Sequence, residues 1–270
     1  DYEDDTLQVK NMYETEEYEE RVRMIQKWYQ KGYLQKDILT SGEYGQALLK
    51  EGMAFSTETV VRPDEREYLE NMNGDKIAYA VFDQKPLIDT ECDWVYVWCI
   101  ARNCTYPKEA VQALNAIYED QDILTTILYG LEGADYVERG DGHLENPPET
   151  EENDDSYQLY YKWMFNRLNA KLWVGVDENV KEEMEEMEQD AIVSPAYGFW
   201  FDASKVSVDL VKIQNVINKY KDKLNCGVCD VDQVLPQFRK ELRQAGSEQL
   251  VKEVQQQVDE WKAAQEGIVP

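Results

Sequence analysis

A single histidine among 270 residues removes the common route to Ser–His or Cys–His catalysis. Such a triad needs an imidazole base, and His143 sits in a stretch crowded with Asp and Glu that argues against that role. The glycine-rich phosphate loops GxGxxG and GxxxxGK are both absent. Basic residues are few, 28 against 55 acids, for a net charge of −27. A nucleic-acid partner is excluded on that ground, because phosphate recognition needs concentrated Lys and Arg. No apolar run approaches the ~20 residues that span a bilayer. The first residues, DYEDDTLQV, are acidic where a secretory leader is basic; this reads as a processed or trimmed chain, or else a cytosolic one.

The acidity is uneven. Residues 1–20 hold nine acids and one base, 138–155 eight and one, and 177–190 eight and one. These segments carry −8, −7 and −7, which is −22 of the −27, whereas 205–266 is balanced at ten against ten. Solvated faces and loops account for such runs, with a dedicated cation site as the alternative; an acidic surface also keeps a protein soluble beside anionic envelopes. With 55 acids some glycosidase-like carboxylate pair is inevitable, so its presence carries little information. No catalytic residue and no cofactor is assigned. Five cysteines, Cys92, Cys99, Cys104, Cys226 and Cys229, leave at least one thiol unpaired in a monomer. Cys226-Gly-Val-Cys229 has the spacing of a redox pair, half a zinc site or a small disulfide. It follows a helix rather than opening one, and two further zinc ligands are not in view; a structural or incidental pair is the reading, with no metal site.

What the chain has is a globular composition, 43% hydrophobic with 18 Tyr and 7 Trp. Thr15 can cap a helix over 16–31, ended by Gly32, and a shorter helix fits 43–51. Residues 53–56 and 76–82 read as strands around a helix opened by Pro63. The apolar run 94–101 reads as a strand buried on both faces, followed by a helix from Pro107 with Val111, Leu114, Ile117 and Tyr118 as its stripe. Residues 138–156 form a long acidic loop rich in Gly and Pro. Helices are expected over 157–169, 178–190, 205–223, 232–245 and 248–264, the last with Leu250, Val254, Val258 and Trp261 in one stripe.

The aromatics are the most informative chemistry. Indole and phenol rings stack on the apolar faces of sugars while polar groups hold the hydroxyls. Tyr197-Gly198-Phe199-Trp200-Phe201 concentrates such rings at an element boundary. If Phe199 and Phe201 face the core of an extended segment, Trp200 points the other way. Trp200 and Tyr197 lead the candidates, with Trp94, Trp98, Trp163, Tyr160 and Tyr161 beside them.

Several stretches together resemble a known family. They are Trp28 to Asp37 (WYQKGYLQKD), Leu49 to Phe55 (LKEGMAF), Pro107 to Tyr118 (PKEAVQALNAIY) with Asp120 and Asp122, Tyr129 to Tyr136 (YGLEGADY), Gly198 to Asp202 (GFWFD), and Ala245-Gly246 through Trp261. In this order they resemble the family 1 extracellular solute-binding proteins of bacterial ABC importers, closest to the lipoprotein subgroup with a helical C-terminal domain common in Gram-positive bacteria. The resemblance implies an α/β, periplasmic-binding-protein-like fold of type II, here mainly the second lobe plus part of the first. It divides the chain into 1–93 in the second lobe, 94–137 crossing to complete the first lobe, the loop 138–156, and a helical C-terminal domain over 157–270. It further implies a monomer on the cell surface, tethered through an upstream lipid anchor, that captures a carbohydrate in an inter-lobe cleft for permease subunits. Residues 195–202 more distantly resemble the segment by which maltose-binding proteins give an aromatic to the sugar. One departure is that Trp163-Met164-Phe165 is followed by Asn166-Arg167 where the subgroup has Gly-Asn. The alternative is a surface interaction or structural module built from one truncated lobe.

Overall fold

The computed structural model describes residues 4–42, 45–63, 78, 80–82, 85–92, 95–148, 157, 159, 164–166 and 169–266. Along the chain the helices are α1 (Glu16–Gln30), α2 (Gly45–Lys50), α3 (Pro107–Glu119), α4 (Gln121–Tyr129), α5 (Val180–Gln189), α6 (Ser207–Asn225), α7 (Val231–Gln244) and α8 (Ser247–Glu266). The strands among the described residues are short: β1 (Leu87–Ile88), β2 (Val137–Glu138), β3 (Leu144–Glu145) and β4 (Ile192–Val193). Packing divides the chain into two units, Asp1–Ala54 with Val193–Pro270, and Phe55–Ile192. That grouping cuts across the segments 1–93, 94–137, 138–156 and 157–270. Packing joins α1 to the C-terminal helices, which sequence order keeps far apart.

In the first unit, α1 starts where Thr15 Oγ1 accepts the Tyr18 amide at 3.2 Å, with Glu16, Glu17 and Glu19 against the positive end of the helix. Its buried face, Tyr18 and Val22, enters a core made by Ile213, Tyr220 and Leu224 of α6 and by Val231, Leu235, Phe238 and Leu242 of α7. The Phe238 ring lies 5.0 Å from Tyr13 and 5.3 Å from Tyr220. Arg239 then fastens α1 from the side. Its guanidinium donates to the Tyr13 carbonyl at 2.8 Å, the Thr15 carbonyl at 3.0 Å and Glu19 at 2.7 Å. Arg23 bridges Glu19 and Asp232. Hydrogen bonds from Arg23 and then from Arg239 hold the Glu19 carboxyl below its usual range.

Glu241 of α7 accepts from Lys219 at 2.8 and 3.0 Å, from the Tyr220 hydroxyl at 2.7 Å and from Gln237 at 2.9 Å. Those bonds, Lys219's first, lower its carboxyl from 4.5 to about 2. A carboxyl depressed by folding contributes stability at pH above its unfolded value of 4.5, and that contribution fades as pH falls toward 2. Glu241→Gln is therefore expected to narrow the gap to wild type progressively when thermal unfolding is followed from pH 6 down to pH 2.5. A gap independent of pH over that window would show that the carboxylate is not held by these donors.

In the second unit, Pro107 opens α3 at its first turn, and Asp120 both ends α3 and caps α4 by accepting the amides of Asp122 and Ile123 at 3.0 Å. Leu124 and Leu128 of α4 are fully buried with Ala170, backed by Leu159 and Phe165. Strands β2 and β3 form an antiparallel hairpin, Val137 opposite Glu145 and Glu138 opposite Leu144. Leu144 continues into the 172–174 backbone, its amide donating to the Leu172 carbonyl at 2.8 Å and its carbonyl accepting from Val174 at 2.7 Å. Lys171 joins Asp122 and Glu138 at 2.7 Å each, which raises its ammonium pKa.

Several elements differ from the sequence reading. Residues 138–156 are not loop from the start, because 137–145 turn as a hairpin through Gly142 at φ +87°. The described part of 94–101, from Val95, is not a strand, and Val95, Tyr96, Val97, Trp98 and Ile100 are exposed. Residues 53–56 are likewise not a strand, with Phe55 fully exposed. A strand exists only where a neighbour takes its backbone hydrogen bonds, and neither run has one among the described residues. Of 157–169, residues 157, 159, 164–166 and 169 are not in an α-helix. The helix expected after Pro63 lies outside the described residues, as does most of 76–82.

Candidate functional site

The aromatic segment belongs to the first unit and is laid against α8. Its chain turns twice, with the Tyr197 amide donating to the Ser194 carbonyl at 2.9 Å and the Phe199 amide to the Ala196 carbonyl at 3.0 Å. Gly198 between them has φ +91°, a region that favours glycine, and a β-carbon there would meet only the Trp261 ring, at an ordinary 3.9 Å. Phe199 packs against the Trp261 ring at 6.0 Å, close to perpendicular. Phe199 and Phe201 are half-buried while Trp200 between them is 57% exposed, so the expected alternation is present. Tyr197 is 41% exposed on the same segment. The result is two exposed aromatic side chains on a segment that Phe199 holds against α8.

Anchoring continues beyond the rings. Gln257 of α8 takes both backbone groups of Asp202: it accepts the Asp202 amide at 2.8 Å and donates to the Asp202 carbonyl at 3.0 Å. The same side-chain nitrogen reaches Glu253 at 2.9 Å, and Glu253 in turn pairs with Lys205 at 2.9 Å. Glu253 is held below its usual pKa by Gln257 first and Lys205 second, and Lys205 is raised by Glu253. The Asp202 carboxylate caps the short turn Ala203–Lys205 by accepting the Ser204 amide at 2.9 Å, and that bond lowers its pKa.

Trp98 belongs to the second unit and is fixed differently. Its indole N–H donates to the Tyr118 hydroxyl at 3.0 Å, and that hydroxyl donates to the Met164 carbonyl at 2.9 Å. One side of the indole leans on Phe165 at 5.7 Å, yet 43% of the residue stays exposed. Asn169 caps the end of α3 by donating to the carbonyls of Tyr118 and Glu119 at 3.3 and 2.9 Å. This is an aromatic plate locked at its polar edge. Trp94, Trp163, Tyr160 and Tyr161 lie outside the described residues.

Sequence reasoning missed Gln257, Tyr118 and Phe165 as parts of these sites. Tyr118 is read from spacing as one more residue of an apolar helical stripe, and nothing local marks its hydroxyl as the partner of an indole twenty residues earlier. Gln257 carries no signal at all, being one of three consecutive glutamines.

Other chemistry is muted. All five cysteines are free, and burial raises the thiol pKa of Cys226 and of Cys229. Both therefore stay protonated near neutral pH, the weakly nucleophilic form. The Cys229 thiol donates to the Lys223 carbonyl at 3.4 Å, and the Cys229 carbonyl accepts from Gln26 at 2.9 Å. A cleft of about 490 Å³ beside this turn is lined by Gln26, Tyr29, Gln30, Asp230 and Asp232. Its polar groups are largely committed already, Asp232 to Arg23 and Asp230 to capping α7.

Residues 195–263 match a family described as a domain of unknown function, DUF3502. A carbohydrate ABC transporter substrate-binding protein of Streptococcus pneumoniae serotype 4 is 26% identical over 275 residues, covering 97% of this chain and 53% of that protein. The crystal structure of the N-glycan transport solute binding protein NgtS from Streptococcus pneumoniae superposes with a TM-score of 0.81 at 22% identity, over 96% of this chain and 57% of that one. The same protein in complex with Man1GlcNAc gives 0.76 at 23% identity, over 96% and 58%. This chain thus spans just over half the length of the proteins it matches.

Proposed function

We propose that this chain, which has the fold of the solute-binding proteins over the part it spans, captures an oligosaccharide outside the cell and delivers it to an ABC importer without acting on it chemically. The observation that carries the reading is Trp200, exposed between half-buried Phe199 and Phe201, the first of which packs on Trp261. A rigid indole presented to solvent offers the C–H face of a pyranose a large apolar contact at little entropic cost. Tyr197 adds a second ring with a hydroxyl, and Trp98 supplies another plate on its own unit. Trp94 and Trp163 are proposed as further contacts from sequence. The solute class follows from the relatives: one is a carbohydrate transporter component, and NgtS is complexed with Man1GlcNAc and Man5GlcNAc. A glycan of mannose and N-acetylglucosamine is the first candidate. Action as a monomer beside permease subunits, on the cell surface, is part of the same proposal. So is the division in which 94–137 completes a lobe.

Isothermal titration of the protein at its natural length against Man5GlcNAc, maltose-type oligosaccharides and a peptide panel tests this. Binding of at least one oligosaccharide is expected, with Trp200→Ala weakening it roughly 30-fold, since losing an aromatic anchor costs about 2 kcal/mol. Silence toward every sugar together with clear peptide binding would sink the carbohydrate assignment. Unchanged affinity in Trp200→Ala would remove the residue from the site.

A further inference from the structure

We infer that Gln257 is the positioning residue for Trp200, and that α8 serves as the splint holding the aromatic segment in its ligand-ready shape. This rests on the reading of Trp200 as a ligand contact. Residues 197–202 belong to no helix or strand, so no ladder takes the amide and carbonyl of Asp202. A primary amide can serve one backbone donor and one backbone acceptor together, and Gln257 does so at 2.8 and 3.0 Å. Asp202 lies only two residues after Trp200, while the Phe199–Trp261 contact holds the residue just before it. Trp200 is thereby bracketed by two attachments, both on α8 and four residues apart. Four residues is about one helical turn, so both attachments leave the same face.

The bracket is itself supported. Glu253, one turn earlier still, accepts from the Gln257 nitrogen and pairs with Lys205 at the far end of the segment. Gln257 is thereby fixed in rotamer before it meets Asp202. Its flanking glutamines do different work: Gln256 bonds Glu260 on the exposed side, and Gln255 reaches the Leu7 carbonyl and the Val9 amide. The family match over 195–263 contains the aromatic segment and the whole Glu253–Trp261 stretch.

The energetic consequence is a population effect. If the segment samples several shapes and only one presents the indole, the apparent dissociation constant rises as the competent fraction falls. Gln257→Met keeps volume and helix propensity but removes both hydrogen bonds; Gln256→Met on the adjacent position is the control. Protein labelled with 5-fluorotryptophan, its Trp200 resonance assigned by Trp200→Phe, reports the indole directly. A single sharp Trp200 line is expected in the parent and in Gln256→Met, and a broadened or multiple line in Gln257→Met. Hydrogen exchange at the Asp202 amide is expected to accelerate at least about tenfold in Gln257→Met, and to stay at the parental rate in Gln256→Met. Man5GlcNAc affinity should fall about tenfold in Gln257→Met if the competent fraction drops to about a tenth, with the midpoint of thermal unfolding little changed. An unaltered fluorine line and an unaltered Asp202 exchange rate in Gln257→Met would overturn the proposal. If those signals change while Trp200→Ala leaves glycan binding intact, the positioning role stands and the assignment of Trp200 to the binding site falls.

Discussion

Phe238→Ala is expected to lower the unfolding free energy of the helical unit by about 3–5 kcal/mol, the range for deleting a fully buried aromatic ring. Phe238 has no exposed surface and lies at the meeting point of three elements. Tyr13 approaches it edge-on from the turn before α1, Tyr220 comes from α6, and Leu235 and Leu242 flank it along α7. Removal leaves a void that these neighbours fill badly. Two tyrosines lose a ring contact, and the Tyr220 hydroxyl is tied to Glu241 at 2.7 Å and so resists moving inward. The Arg239 side chain next along the helix also depends on the seat, because its three partners lie between Tyr13 and Glu19. Denaturant unfolding should show a lower midpoint with an unchanged slope, the mark of a stability change without a change in exposed surface. A cost below about 1 kcal/mol, the size of a surface substitution rather than a core one, would mean that Phe238 is not the centre of this core.

The legible parts of the fold are those whose causes are local. Thr15 and Gly32 are a cap and a stop whose chemistry acts within a turn. The helix they bound comes out as Glu16–Gln30 against the expected 16–31. Alternation across Phe199, Trp200 and Phe201 is local in the same sense, and so was the inference that Trp200 faces outward. The fold resemblance, read from short motifs in order, is borne out by the superposition on solute-binding proteins. What failed depends on partners far away in sequence. Val95 to Ile100 are apolar enough to be a central strand, but no property of the run states whether a neighbour exists to hydrogen-bond it. The 137–145 hairpin was hidden by its composition, since Gly140, Gly142 and the acids around them read as loop, and its strands are two residues long. The joining of α1 to α6 and α7 was invisible too. It relies on pairs such as Glu19 with Arg239, separated by 220 positions. For the candidate site the division is the same. The exposed rings were found from their own neighbourhood, whereas Gln257 and Tyr118, which hold them, are identified only by where other chain segments arrive.

Gly227→Ala is the second large effect, and it tests that distant joining most sharply. Gly227 has φ +69°, and a β-carbon there would lie 2.6 Å from the Ile25 carbonyl oxygen and 2.8 Å from the Gln26 nitrogen and α-carbon. The obstacle is helix backbone, which cannot rotate away as a side chain would. Either α1 moves off the 226–230 turn or the turn distorts. Both break the bond from Gln26 to the Cys229 carbonyl. Left-handed strain and overpacking together are expected to cost about 2–5 kcal/mol. Gly32→Ala separates the two contributions, because Gly32 has φ +75° but nothing within 4 Å of its β-position. That control should lose only the conformational part, about 1–2 kcal/mol. Amide hydrogen exchange should then show faster opening of Glu16–Gln30 in Gly227→Ala and near-parental protection there in Gly32→Ala, since only the first substitution pushes the helix from its seat. Equal costs for the two alanines would mean that α1 does not rest on this turn. The pairing of α1 with α6 and α7 would then hang on Arg239, Arg23 and the Tyr18–Val22 face alone.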